Sequence, residues 1–213
     1  MTTTRTPEQE AIYQQFLSEA TEMVVEMNRR ISEQGSKETN FCGPGCSNCC
    51  CQVFHVKALE FEVILKRIVN DPELLRRFKE QYAQRELLTT KHLEKIKEIS
   101  RITDDIEFNM QWIKLKIPCA LLYDNKCIIY EVRPETCATY QTLSPPRVCA
   151  IDPKGYLSVP MKKLKGEYRE KRIKLDEKYR RNDGLIFDLS WYLAQALNPP
   201  QEEPVKQERK KKT

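Results

Sequence analysis

The amino-acid sequence predicts a mainly α-helical chain with a small β-hairpin, its helices gathered around a cysteine-rich, metal-binding loop core. Three observations carry that expectation. Apolar residues recur every three or four positions through most of the first hundred residues. A short stretch near residue 125 has strand formers on both sides of a polar turn. Five of the nine cysteines lie between Cys42 and Cys51, in a segment that also holds Gly43, Pro44 and Gly45.

The elements follow in order. From Pro7 to about Glu33, the residues Ile12, Phe16, Ala20, Met23, Met27 and Ile31 mark one helical face, and Gly35-Ser36 stops the helix. A loop from Asn40 to Gln52 carries the first cysteines. Helical spacing resumes at Ala58 with Leu59, Val63, Ile64 and Ile68. Asp71-Pro72 breaks and restarts it, because Pro suits a first helical turn. Leu75, Phe78, Tyr82, Leu88, Ile96 and Ile99 then continue one long polar-faced helix to about Ser100. Ala120 to Tyr123 and Cys127 to Tyr130 read as the two strands of a hairpin, joined by Asp124-Asn125-Lys126. Arg133-Pro134-Glu135-Thr136 leads into a short helix, and Pro145-Pro146 ends that segment. Met161 to Arg181 is polar but helical in pattern, and Leu185 to Leu197 forms a last helix containing Trp191 and Tyr192. The chain therefore divides into an N-terminal helix (1–40), a cysteine-cluster domain (41–150), C-terminal helices (151–198) and a disordered basic tail (199–213).

Composition bounds the function. Its 213 residues and 25.1 kDa fit one domain, or one domain with tails. It is large enough to bury a core without metal, unlike modules below about 40 residues. Apolar residues are 40% and charged residues 31%, a globular balance. No window approaches the roughly 18 apolar residues of a membrane-spanning helix, and the polar Met1–Glu10 start has no apolar segment behind it. The expectation is a cytoplasmic protein that does not enter a membrane. Net charge is only +5, and much of the excess sits in Lys206, Arg209, Lys210, Lys211 and Lys212. That run reads as a solvated tail. Without interleaved aromatics or a recognised module it argues against nucleic acid as a partner, and leaves an unknown protein partner open.

In a reducing compartment, dense cysteines point to metal or redox chemistry rather than a disulfide framework, and the odd count fits complete pairing poorly. The first group is Cys42-x3-Cys46-x2-Cys49-Cys50-Cys51; the second is Cys119, Cys127, Cys137 and Cys149. A C-x2-C spacing lets two thiolates turn to one ion without straining the backbone. Gly and Pro between Cys42 and Cys46 permit a tight loop whose amides can donate to sulfur. In extended chain, neighbouring side chains face opposite ways, so at least one of Cys49, Cys50 and Cys51 faces elsewhere, and Cys51 is taken as that residue. Cys137 lies about one turn after Pro134, where helix amides favour thiolate. Two four-ligand sites would use eight of the nine cysteines. His55 is read as packed, His92 as solvated, and Glu60 and Glu62 as helix-surface charge.

The segment Cys46-x2-Cys49-Cys50, with Pro118-Cys119 and then Cys127-Ile-Ile-Tyr130-Glu131-Val-Arg133-Pro134-Glu-Thr-Cys137, resembles the bacterial zinc- or iron-chelating cysteine-cluster family called YkgJ-like. The resemblance covers roughly residues 42–149 and implies Cys149 as a further ligand. This chain departs from the pattern in the three-residue gap after Cys42, in the extra Cys51, and in Ala138, where the family often has Arg. The resemblance implies a protein that binds zinc, iron or an iron–sulfur cluster. The expected metal ligands are Cys42, Cys46, Cys49, Cys50, Cys119, Cys127, Cys137 and Cys149.

Zinc and an iron–sulfur cluster both suit thiolate ligation, with sulfur-rich ligation leaning toward iron–sulfur. Such a centre would serve electron transfer, metal handling or protein interaction. Two other readings stand beside it. One is an S-adenosylmethionine-dependent enzyme. Cys42-x3-Cys46-x2-Cys49 has radical S-adenosylmethionine spacing, but Asn48 precedes the last cysteine and no β/α alternation follows. A domain related to the family also occurs in flagellin lysine methylases. The other reading is a purely structural zinc domain.

Overall fold

A computed structural model describes residues 5–38, 42–43, 45–145, 148, 160–181 and 184–198. The fold is mainly α. Its helices are α1 (Pro7–Glu38), α2 (Ala58–Val69), α3 (Pro72–Lys91), α4 (Leu93–Ile99), α5 (Asp105–Ile113), α6 (Glu135–Thr139), α7 (Lys162–Lys178) and α8 (Leu189–Leu197). Among the described residues, four two-residue strands make two small antiparallel pairs. β1 (Val56–Lys57) pairs with β4 (Leu185–Ile186), and β2 (Leu122–Tyr123) with β3 (Lys126–Cys127). Among the described residues no helix is long and apolar enough to cross a membrane. The expected disordered tail, 199–213, lies outside the described residues, as does Cys149.

The core is organised on α1. Phe16, Leu17, Ala20, Val24, Met27 and Ile31 repeat at helical spacing and are buried, and the helix packs against α7, α2 and α6. α2 contributes Leu59, Val63, Ile64 and Ile68, α3 contributes Phe78, and α8 contributes Leu193 and Ala194. Each of these Val, Leu, Ile, Met and Phe side chains stabilises the fold by roughly 1.5–3 kcal/mol through burial. A second, smaller cluster joins Val53, Ile99, Trp112, Leu115 and Ile117. Val53 lies two residues after Cys51 and Ile117 two residues before Cys119. This minor core therefore clamps together the chain segments that carry the two cysteine groups.

Several boundaries differ from the sequence expectation, each for a physical reason. α1 does not stop at Gly35 but runs on to Glu38. Gly35 is there for close approach, since a Cβ at this position would collide with the buried Gln141 side chain. The expected long helix ending near Ser100 is two helices, divided at His92, which leaves helical geometry at φ −104° and ψ 14°. α5 has no counterpart in the expectation, although Asp104 caps it by accepting from the Glu107 N–H at 2.8 Å. The last helix begins at Leu189 rather than Leu185, because Asp188 caps it through the Trp191 N–H and Leu185–Ile186 is taken into β4. The hairpin turn is two residues, Asp124 and Asn125, with φ of 49° and 59°. Both are residue types that tolerate this left-handed conformation, and such turns match strand twist.

Candidate metal centre

The first cysteine group is shaped by its own backbone. Gly45 sits at φ +100°, a conformation that favours glycine, and the Cys46 N–H donates to the Gly43 carbonyl at 3.1 Å. Asn48–Cys51 then form a 3-10 turn, with the Cys50 N–H bonded to the Ser47 carbonyl and the Gln52 N–H to the Cys49 carbonyl. This corrects the premise of extended chain. A 3-10 turn rotates successive side chains by a third of a circle, so Cys49 and Cys50 are able to face one space.

The second group is brought to the first by direct bonds. The Cys119 N–H donates to the Cys50 carbonyl at 2.7 Å. The Gln52 amide donates to the Tyr140 hydroxyl at 3.0 Å, the Thr136 hydroxyl to the His55 carbonyl at 3.0 Å, and the Thr142 N–H to the Cys42 sulfur at 3.3 Å. The result is a cavity of about 90 Å³ walled by Cys42, Cys46, Cys49, Cys50, Cys119, Cys127 and Cys137. Cys51 is not in that wall, and none of the eight described cysteines is in a disulfide. The cavity is several times the roughly 10–15 Å³ that one water needs. The thiols surround it without meeting at a point: among the described residues no three His, Cys, Asp or Glu side chains form a ready-made site for one ion.

The electrostatics of the thiols depend on burial and on a few donors. Cys50 donates to Cys49, which holds the Cys49 thiol below its usual range, with the charge of Arg133 acting in the same direction against burial. The Cys50 proton is correspondingly held far more tightly, first by that bond and then by burial. Burial pushes Cys127 up to about 12, with the charge of Cys119 adding to it and the Ile129 N–H opposing it. Burial also raises Cys119, against bonds from the Leu121 N–H and the Ser190 hydroxyl. For Cys137, burial outweighs the helix-start effect expected from Pro134 and raises the thiol well above its usual range. The physical reason is that α6 is only five residues long, while the half-buried thiol loses much of its contact with water in the cavity wall. Thiols of this kind give up their protons readily only to a cation that replaces them.

Several supporting residues were not visible from sequence. Ser190 of α8 accepts from the Ala120 N–H at 3.1 Å, which leaves its own hydrogen for the Cys119 sulfur 3.6 Å away. Arg85 donates to the Pro118 carbonyl at 2.8 Å and pairs with Asp188 at 2.9 Å, holding the chain just before Cys119. Glu60 corrects the surface reading. It is fully buried in α2 and accepts from the Lys57 and Glu135 N–H groups and from the Tyr168 hydroxyl. Its bond to Glu135 fixes the start of α6, two residues before Cys137. Glu62 is half-buried in an ion pair with Arg181. His55 packs on the Phe187 ring, with centroids 5.1 Å apart, and does not line the cavity. His92 is half-buried between α3 and α4.

Comparison of the chain with protein-family models, with curated proteins and with solved structures finds no match in any of the three. The class defined by fold and site is therefore a mainly helical protein with a cavity walled by cysteines from two distant segments.

Proposed function

We propose that the chain is a metal-binding protein that holds an iron–sulfur cluster or zinc through cysteine thiolates in this cavity. The observation that carries the reading is the gathering of seven cysteines, from residues 42–50 and 119–137, around one cavity. Bonds to sulfur from the Leu121, Ile129 and Thr142 N–H groups and the Ser190 hydroxyl suit an anionic metal–thiolate centre. The resemblance of residues 42–149 to the YkgJ-like cysteine-cluster family supports the same class. Iron–sulfur is favoured over zinc because the thiols surround a space of about 90 Å³. A cluster spans such a space with its own sulfides, whereas zinc draws four ligands to about 2.3 Å.

The test is anaerobic purification followed by metal and sulfide analysis and an absorption spectrum. Stoichiometric iron with sulfide and a broad band near roughly 400 nm supports a cluster. Stoichiometric zinc with no visible band supports the zinc form. Absence of both metals after anaerobic reconstitution overturns the reading.

A further inference from the structure

The cysteine cavity has one cationic wall. Arg133 lies at the end of the 3-10 turn Tyr130–Val132, immediately before Pro134 and α6. Two contacts fix its guanidinium. Nε donates to the Asn28 side-chain oxygen at 3.2 Å, and the Tyr130 ring lies beneath Cζ at 4.0 Å. Asn28 is itself buried in α1, and its amide group donates to the Arg133 carbonyl at 2.9 Å. Neither contact engages Nη2. Nη2 is buried and has no hydrogen-bond partner among the described residues. A buried charged N–H without an acceptor is costly, and the contacts with Asn28 of α1 and with the Tyr130 ring account for Nε and the guanidinium face but not for Nη2. Arg133 also lines the cavity beside the seven thiols, and its charge reaches Cys49, Cys127 and Cys137.

We infer that Arg133 is a positioning residue for the metal centre: its anchored guanidinium supplies the fixed positive charge that offsets an anionic metal–thiolate group in the cavity. This rests on the reading of the cavity as a metal site. Four thiolates around a zinc ion leave an excess of two negative charges, and a thiolate-bound iron–sulfur cluster is likewise anionic. A fixed cation in a low-dielectric wall stabilises either. It stabilises the reduced form of a cluster more than the oxidised form, because reduction adds a negative charge. Arginine suits the place because it stays protonated when buried and because its planar group can be clamped by Asn28 and Tyr130 at once.

The experiment compares the full chain with its Arg133→Gln and Arg133→Lys variants after anaerobic reconstitution with iron and sulfide, and separately with zinc alone. The measurements are metal stoichiometry, affinity by chelator competition, midpoint potential where a cluster forms, and helicity with thermal melting as the control for folding. The expected result is a roughly 10–100-fold loss of metal affinity in Arg133→Gln, together with a more negative midpoint potential for a cluster. Arg133→Lys retains affinity within tenfold. An Arg133→Gln protein that folds like the wild type and keeps its affinity and potential overturns the inference and leaves the metal reading standing. Should Arg133→Gln fail to fold, Arg133→Lys decides: a loss of tenfold or more at unchanged helicity overturns the role of charge. A wild-type chain that takes up neither iron nor zinc overturns the metal reading, and this role with it.

Discussion

Glu60→Gln isolates one buried carboxylate on which three elements converge. Glu60 Oε2 accepts from the Lys57 N–H at 3.0 Å, while Oε1 accepts from the Glu135 N–H at 2.8 Å and the Tyr168 hydroxyl at 3.1 Å. Glutamine keeps the shape but only one acceptor oxygen. Placed at Oε1 it retains the bonds that tie α2 to α6 and α7, and it turns an amide N–H toward the Lys57 N–H. The cost is one lost buried bond, about 1–3 kcal/mol. Alanine would remove all three, roughly 3–9 kcal/mol on the same scale. That is comparable with a whole domain's stability of roughly 5–15 kcal/mol, so glutamine is the variant that can be measured. Urea unfolding at pH 5 reads the loss as a lower midpoint at unchanged slope. The pH dependence has a definite sign. Burial raises the Glu60 carboxyl above its usual 4.5, with the Glu135 and Lys57 N–H bonds opposing. The folded state therefore holds the proton more tightly than the unfolded chain. The contribution is fully present below about 4.5 and is lost as pH rises through the raised folded value. The advantage of wild type over Glu60→Gln should thus shrink from pH 4.5 toward neutrality. A Glu60→Gln protein with the wild-type midpoint at pH 5 refutes the account of the three bonds. An advantage that grows with pH refutes the dominance of burial.

Further variants test the ligand set and the packing around the cavity. Cys127→Ser or Cys137→Ser should lower metal stoichiometry and speed hydrogen exchange in residues 42–50, whereas Cys51→Ser, outside the wall, should change both far less; the reverse order would discredit the ligand set. Gly35→Ala should destabilise by about 1 kcal/mol or more despite alanine's better helix propensity, because the Gln141 side chain stands where the methyl group must go. Thermal melting of Gly35→Ala/Gln141→Ala should recover most of that loss.

Much of this arrangement was legible in the residues, and the misses share a cause. The apolar face of α1 could be read because helical periodicity is a local property of the chain. Gly35 was misread because a glycine that ends a helix and one that admits a neighbour look alike without the neighbour. α5 was overlooked although Asp104 and Glu107 have the spacing of a helix start. The β1–β4 pair joins two residues to two others about 130 positions later, and nothing local announces such a pairing. At the candidate site the cysteine groups declared themselves by density and spacing. Ser190, Arg85, Asn28 and the buried role of Glu60 did not, because each matters only through what the fold places beside it. Arg133 could be seen as a residue before a helix-starting proline, but not as part of the cavity wall.

The make-up of the cavity wall has a consequence for the order of events during synthesis. The wall takes Cys42 from near one end of the described chain and Leu189 from near the other, and Ser190 beside Leu189 is the hydroxyl partner of Cys119. While a ribosome is still making the middle of the chain, the first thiols are already outside and exposed, without most of their enclosure. The compartment closes only after α8 has emerged. On the proposed metal reading, loading would follow the emergence of α8, and a product stalled before it would carry the early thiols without Leu189 and Ser190 beside the cavity.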